Sequence, residues 1–357
     1  MKNTKAIAIL FAFLAAVAYA ISIPASKVLL THVGPTYMAA FLYLGAGVGI
    51  GVLFVISRNR GREIVLLSRG DLPYVIGMIA LDIIAPILLM IGISEGTSSN
   101  ASLLSNFEIV ATTVIALCIF KETVTRKLWI AVALITLSSV ILSFGGAGSF
   151  DFSYGSLFVL AATVCWGFEN NCTRMISSKS TYEIVTVKGL GSGLGAMVIA
   201  FAIGERFPEF SYIAVIMLLG FVAFGLSIFM YVRAQNVLGA AKTSAYYAVA
   251  PFVGAFLSFV FLRESLTFSY AVALVIMIAG AVLVVSDTLI RNHSHAHCHT
   301  FVHTHDGTTH EHTILHDHDH NHYVSDSQHG HKHKVKELEK EITFKTTETQ
   351  ARQGLLK

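Results

Sequence analysis

Apolar runs of helical length follow one another along most of this chain, and nothing else in it constrains the fold as much. A helix needs roughly 20 mainly apolar residues to cross the hydrocarbon core of a bilayer. Such runs lie near residues 6–30, 36–57, 73–94, 98–120, 127–144, 154–177, 181–204, 210–232, 239–262 and 266–289, ten in all. Charged residues make up 13% and apolar residues 54% of the 357 positions, with a mean hydropathy of +0.66. A soluble domain carries about 25% charged residues, so the sequence predicts an all-α membrane protein. Lys2 and Lys5 precede the first run. That run exceeds the apolar core of a signal peptide, about 7–15 residues, and is expected to be kept as the first membrane helix.

The chain also repeats itself. Residues 101–122 read ASLLSNFEIVATTVIALCIFKE and residues 243–264 read TSAYYAVAPFVGAFLSFVFLRE, each small and polar at first, then apolar, then closed by a base and a glutamate. Ala131-Val132-Ala133-Leu134 follows the first copy and Ala271-Val272-Ala273-Leu274 the second. YAISIPASK, ending at Lys27, corresponds to WGFENNCTR, ending at Arg174. Gly45, Gly47, Gly49 and Gly51 correspond to Gly189, Gly191, Gly193 and Gly195, and such spacings let backbones approach closely in lipid. The units, 6–144 and 152–289, are joined by the glycine-rich link 144–153. Each holds an odd number of crossings, so the second enters the membrane from the opposite side. The expected architecture is ten transmembrane helices in two inverted five-helix repeats. Inverted repeats build secondary transporters, whose substrate site lies near mid-membrane where the halves meet.

Arginine and lysine set the orientation. One set of connections holds Arg58, Arg60, Arg62, Arg69, Lys121, Arg126, Lys127, Arg174, Lys179 and Arg233; the other holds Arg206 and Arg263. The first set and both termini are therefore expected in the cytoplasm, with the chain in the cell's cytoplasmic membrane.

With these motifs the chain resembles the drug/metabolite transporter superfamily, in its EamA branch. The resemblance rests on Glu108…Lys121-Glu122 in the fourth crossing, Ala250-Pro251…Arg263-Glu264 in the ninth, and Trp166-Gly167 in the sixth, and it spans residues 6–289. It implies a central cavity lined by crossings one to four and six to nine, with the fifth and tenth behind, and transport of a small-molecule substrate by alternating access. The superfamily handles amino acids, sugars, nucleotide conjugates and cations. Here Ile109 stands after Glu108 where proline is commoner, which removes the residue expected to bend that helix.

A charge at the bilayer centre costs about 2.5–3.5 kcal/mol on insertion scales, which singles out Asp82, Glu108 and Glu169 as the acids well inside the runs. Ala101, Ser105, Glu108 and Thr112 recur at i, i+4, i+7 and i+11, forming one helical stripe that faces protein or a water-filled cavity. Glu169 shares a face with Trp166 and Thr173 and is followed by Asn170 and Asn171. These carboxylates read either as a cavity wall that binds a cationic group or relays protons, or as buried acids held in structural ion pairs. Lys188, beside Gly189, is placed to pair with Glu169 or to bind an anionic group. Tyr246, next to Tyr247, completes the candidate transport residues Glu108, Glu169, Asp82, Lys188, Ser105, Asn170 and Tyr246. Lys27, Arg174 and Lys242 lie near helix ends, where long basic side chains snorkel to the interface. The repeat is unequal at one place: Ala250 is the approximate counterpart of Glu108.

After Arg291 the composition changes. Residues 293–333 hold 15 of the 16 histidines: His293, His295, His297, His299, His303, His305, His310, His312, His316, His318, His320, His322, His329, His331 and His333. Alternate residues of an extended chain project to one side, so paired imidazoles can chelate Zn, Ni, Cu or Co, with Asp317, Asp319 and Cys298 as supplements. The segment has too little apolar content for a core and is expected to be a disordered cytoplasmic tail over residues 290–357.

Three functions fit these features. The first is a secondary carrier, expected to be an exporter, of a small organic metabolite such as an amino acid. The second is a divalent-metal carrier fed or regulated by the tail. The third is a membrane-anchored metal buffer or sensor. His32 is the one histidine outside the tail, which favours an organic cargo. Nothing resembling a phosphate-binding loop, nucleophile triad or closed zinc motif occurs, so no enzyme, no ATP-driven pump, no required cofactor and no nucleic-acid partner is expected. Membrane lipid and tail-bound divalent metal ions are the expected partners, and a homo-oligomer is left open.

Overall fold

Long apolar stretches in a medium without water must satisfy every backbone amide internally, and helices do so. The computed structural model describes residues 2–58, 65–120, 125–144, 153–176, 179–238, 243, 246–288, 290–305 and 308–323. Lys121, Glu122, Lys242, most of the link 144–153 and His329, His331 and His333 lie outside the described residues. Among the described residues, eight helical segments are long and apolar enough to cross a membrane. The other two expected crossings are Tyr154–Met175, which is 22 residues long but carries Glu169, Asn170 and Asn171, and Ala250–Leu262, which is apolar but 13 residues long. The chain is a multi-pass helical membrane protein. Large apolar side chains such as Phe210 and Phe268 are exposed on the outside of the bundle, where lipid covers them.

Residues 1–288 form one compact unit. At its centre the second crossing, Pro35–Arg58, packs on the seventh, Thr181–Ala202, through their glycines. A Cβ at Gly189 would stand 2.5 Å from Gly47 N, and one at Gly47 would stand 2.6 Å from Leu190 N. The pair is equivalent by repeat, so each copy supplies half of one backbone contact. Gly189→Ala is expected to force these helices apart at a cost of about 1–3 kcal/mol, read as a lower melting temperature of the detergent-solubilised protein. An unchanged melting temperature would refute the contact.

Several crossings are broken within their length. The first divides at Ile21, between Lys2–Ala20 and Ser22–Leu29, because Pro24 has no amide hydrogen to donate to Ala20. The eighth contains a π-helical segment, Phe221–Leu226, between Phe210–Gly220 and Ser227–Leu238. The fourth divides into Ser98–Leu104 and Phe107–Phe120 without any proline. Ser105 Oγ donates to the Ala101 carbonyl and Asn106 Nδ2 to the Leu103 carbonyl. The backbone there tightens, with Asn106 N bonded to Leu103 O, Glu108 N to Ser105 O and Ile109 N to Asn106 O. Side chains that offer the backbone an alternative partner thus do the bending that the absence of proline at position 109 seemed to rule out.

At one end of the bundle, carboxylates of the second repeat cap helices of the first. Glu264 accepts from the Ser98 and Ser99 amides at 2.7 and 2.9 Å, and Glu205 accepts from the Thr36 and Tyr37 amides at 3.2 and 3.3 Å. Both acids sit where a helix presents unsatisfied donors and the positive end of its dipole. Lys27, expected to snorkel, instead donates to the carbonyls of Ile93, Ser94 and Gly96 at 2.7, 3.0 and 2.8 Å, capping the C-terminus of the third crossing, Leu72–Glu95.

Residues 289–357 are a separate unit. Within it the described residues 290–305 and 308–323 are extended. β1, Ile290–His305, pairs antiparallel with β2, Thr308–Tyr323, from Ile290↔Tyr323 to His305↔Thr308. Histidine recurs at alternate positions along most of both segments. That period-two pattern suits paired strands even where no apolar core forms.

Candidate functional site

The broken helices meet around a cavity of about 330 Å³. Five of the seven expected transport residues line it: Ser105 and Glu108 from the fourth crossing, Glu169 and Asn170 from the sixth, Tyr154–Met175, and Lys188 from the seventh. The break at Ser105–Asn106 delivers Glu108 to the first turn of Phe107–Phe120. The spacing of Trp166, Glu169, Asn170 and Thr173 brings these residues round to the same side of the sixth crossing.

Lys188 lies between two carboxylates. Its Nζ stands 3.0 Å from Asp82 Oδ2 and 3.0 Å from Glu169 Oε1. Asp82 is fully buried, and its other oxygen accepts from Tyr43 OH at 3.1 Å and Trp166 Nε1 at 3.2 Å. Glu169 Oε1 also accepts from Thr173 Oγ1. Asp82 is therefore held behind the cavity wall rather than in its lining, and its oxygens are taken up by protein. The alternatives left open for Lys188 narrow accordingly: it pairs with Glu169, as the sequence suggested, and equally with Asp82.

Glu108 is different. It accepts from Asn170 Nδ2 at 2.6 Å, and Asn170 is itself placed against Thr112 Oγ1 at 3.4 Å. Among the described residues no cation pairs with Glu108. The lining thus has the carboxylates of Glu169 and Glu108, with Asp82 just behind, against the single ammonium of Lys188, so as ionised groups the acids outnumber the base by two. Around them stand Tyr19, Tyr43, Trp166, Phe224 and Tyr247, rings whose faces attract cations. Such a site can seat an ammonium group against Glu108 with aromatic walls beside it.

Tyr246 falls outside this constellation. Its ring packs on Phe13 with centroids 5.4 Å apart, whereas Tyr247 lines the cavity and its hydroxyl lies 3.2 Å from Ser227 Oγ. Tyr19, Tyr43 and Phe224 were not singled out by sequence, since a tyrosine or phenylalanine in an apolar helix carries no mark that separates a cavity wall from packing. Among the described residues of the helical unit, 1–288, no group of three or more histidine, cysteine, aspartate or glutamate side chains is arranged to hold a metal ion.

A crystal structure of another protein superposes with a TM-score of 0.56 at 16% identity, covering 78% of this chain and 95% of that one, which establishes a shared fold. An uncharacterized transporter of Methanothermobacter thermautotrophicus is 25% identical over 292 residues, spanning 74% of this chain and 82% of the relative. The EamA-like transporter family matches twice, over residues 6–144 and 153–286, the same two units that the internal repeat delimits. Duplicated helical halves and a membrane-embedded polar cavity agree with that match: the chain belongs to the EamA-like transporter family and carries a small solute across a membrane.

Proposed function

We propose that the protein is a secondary carrier for a small organic metabolite bearing an ammonium group, such as an amino acid, and that it exports this solute across the cytoplasmic membrane by alternating access. The observation that carries this reading is Glu108, a carboxylate in the lining of a membrane-embedded cavity with an amide hydrogen bond but no paired cation among the described residues. A buried charge without a counterion is costly, so the empty carrier holds a proton there and the loaded carrier holds the substrate cation. One carboxylate that binds either proton or substrate couples their movements. Lys188, occupied by two acids, supplies no free anion site. The bias of arginine and lysine supports cytoplasmic termini. Among the described residues the cavity lining contains no histidine or cysteine, which leaves a transition-metal cargo without such ligands there.

Uptake into proteoliposomes tests this. Amino acids, polyamines and divalent metals are each offered with and without a pH gradient. The expected result is uptake of an amine-bearing solute, accelerated by the gradient. Uptake of divalent metal alone, or of uncharged solutes to the exclusion of amines, would overturn the assignment.

A further inference from the structure

The pairing of β1 with β2 sorts the tail by chemistry. Partner positions sum so that odd-numbered residues of β1 oppose even-numbered residues of β2, as in His293↔His320, His295↔His318, His297↔His316 and His303↔His310. Directly opposed residues of an antiparallel pair share a face, as do alternate residues along each strand. All the histidines of the two strands, six in β1 and six in β2, therefore fall at register positions of one face. The possible supplements do not join them. Cys298, paired with Leu315, Asp317 with Ala296, Asp319 with Ser294, and Glu311 with Val302 all take positions of the other face.

Opposed residues have Cβ atoms about 4.5–5.5 Å apart, which suits two imidazoles converging on one ion at about 2.0–2.1 Å each. Two successive cross-strand pairs offer the four nitrogen donors of a tetrahedral site. The ladder is interrupted where Ile314 opposes His299 and Phe301 opposes His312. That interruption separates a longer block, the pairs of His293, His295 and His297, from a shorter one around His303↔His310.

We propose that residues 290–323 are a transition-metal-binding hairpin, whose cross-strand histidine pairs on one face form two blocks of sites for Zn(II), Ni(II) or Cu(II). Imidazole alone is the ligand, and the acids and Cys298 take no part. This site does not depend on the transport reading. It gives the chain a metal-responsive element distinct from its cavity.

The test is calorimetric titration of the purified full-length protein in detergent with ZnCl2 and, separately, NiCl2. A variant with His293, His295, His297 and His303 of β1 replaced by alanine retains every histidine of β2. Cross-strand ligation predicts that its affinity falls about tenfold or more, because each site has lost half its donors. Chelation along single strands predicts that the β2 half of the capacity survives at unchanged affinity, and that result would overturn the proposal. A second variant, Cys298→Ser with Glu311→Gln, Asp317→Asn and Asp319→Asn, should bind as the unaltered protein does. Loss of binding there would equally overturn it.

Discussion

Glu108→Gln should reduce transport of the amine-bearing solute about 10- to 100-fold while leaving the amount of folded protein unchanged. The size follows from what a charged hydrogen-bond partner contributes in a desolvated site, about 1.5–3 kcal/mol. The isosteric amide keeps the cavity's shape and offers Asn170 an oxygen to bond, so the bundle has no reason to unfold. The two outcomes are separable by measuring proteoliposome uptake alongside size-exclusion profiles of the same preparation. A second signature accompanies the first. If Glu108 alternates between proton and substrate, acceleration by a pH gradient should vanish in the Gln variant and persist, weakened, in Glu108→Asp. Wild-type uptake by Glu108→Gln would remove the carboxylate from the transport cycle.

How much of this was readable in the sequence depends on the kind of feature. The crossings, the repeat and its inversion were legible, because a bilayer imposes length and hydropathy on each helix and an odd count makes the second copy enter from the opposite side. Ser105, Glu108, Glu169, Asn170 and Lys188 were legible as residues that face one cavity, since each is a polar group that lipid would penalise. Their pairing was only partly so. Lys188 and Glu169 were matched, but Asp82 belongs to a distant crossing, and the rotation of one helix about its axis relative to another is not written in either. The bend at Ser105–Asn106 was missed because proline is the visible breaker. Serine and asparagine bend a helix only when their side chains turn back to its carbonyls. In the tail the His-x-His spacing was plain. The pairing of two such segments depends on which positions of the strands meet, and that register decides which residues share a face.

The second large effect is expected at Lys188. Replacing it by methionine leaves Asp82 and Glu169 without the ammonium that stands 3.0 Å from each. Asp82 is buried completely, and Tyr43 and Trp166 satisfy only one of its oxygens. Breaking a buried pair by removing one partner costs about 3–5 kcal/mol, whereas replacing both partners by neutral groups is often close to neutral. Lys188→Met is therefore expected to be strongly destabilised, and Lys188→Met combined with Asp82→Asn to recover much of the loss. Glu169→Gln should be milder than either, because Asp82 keeps the cation. Thermal unfolding in detergent ranks the variants: wild type, Glu169→Gln, the double variant, then Lys188→Met. The order also decides what Lys188 is for. Were it a binding group for an anionic substrate, Lys188→Met would abolish transport at undiminished melting temperature, and neutralising Asp82 would restore nothing. The two buried acids 3.0 Å from one lysine argue the reverse: Lys188 is expected to act as the counter-charge of the wall, and Glu108, which has no paired cation among the described residues, is the acid that the proposed cycle uses.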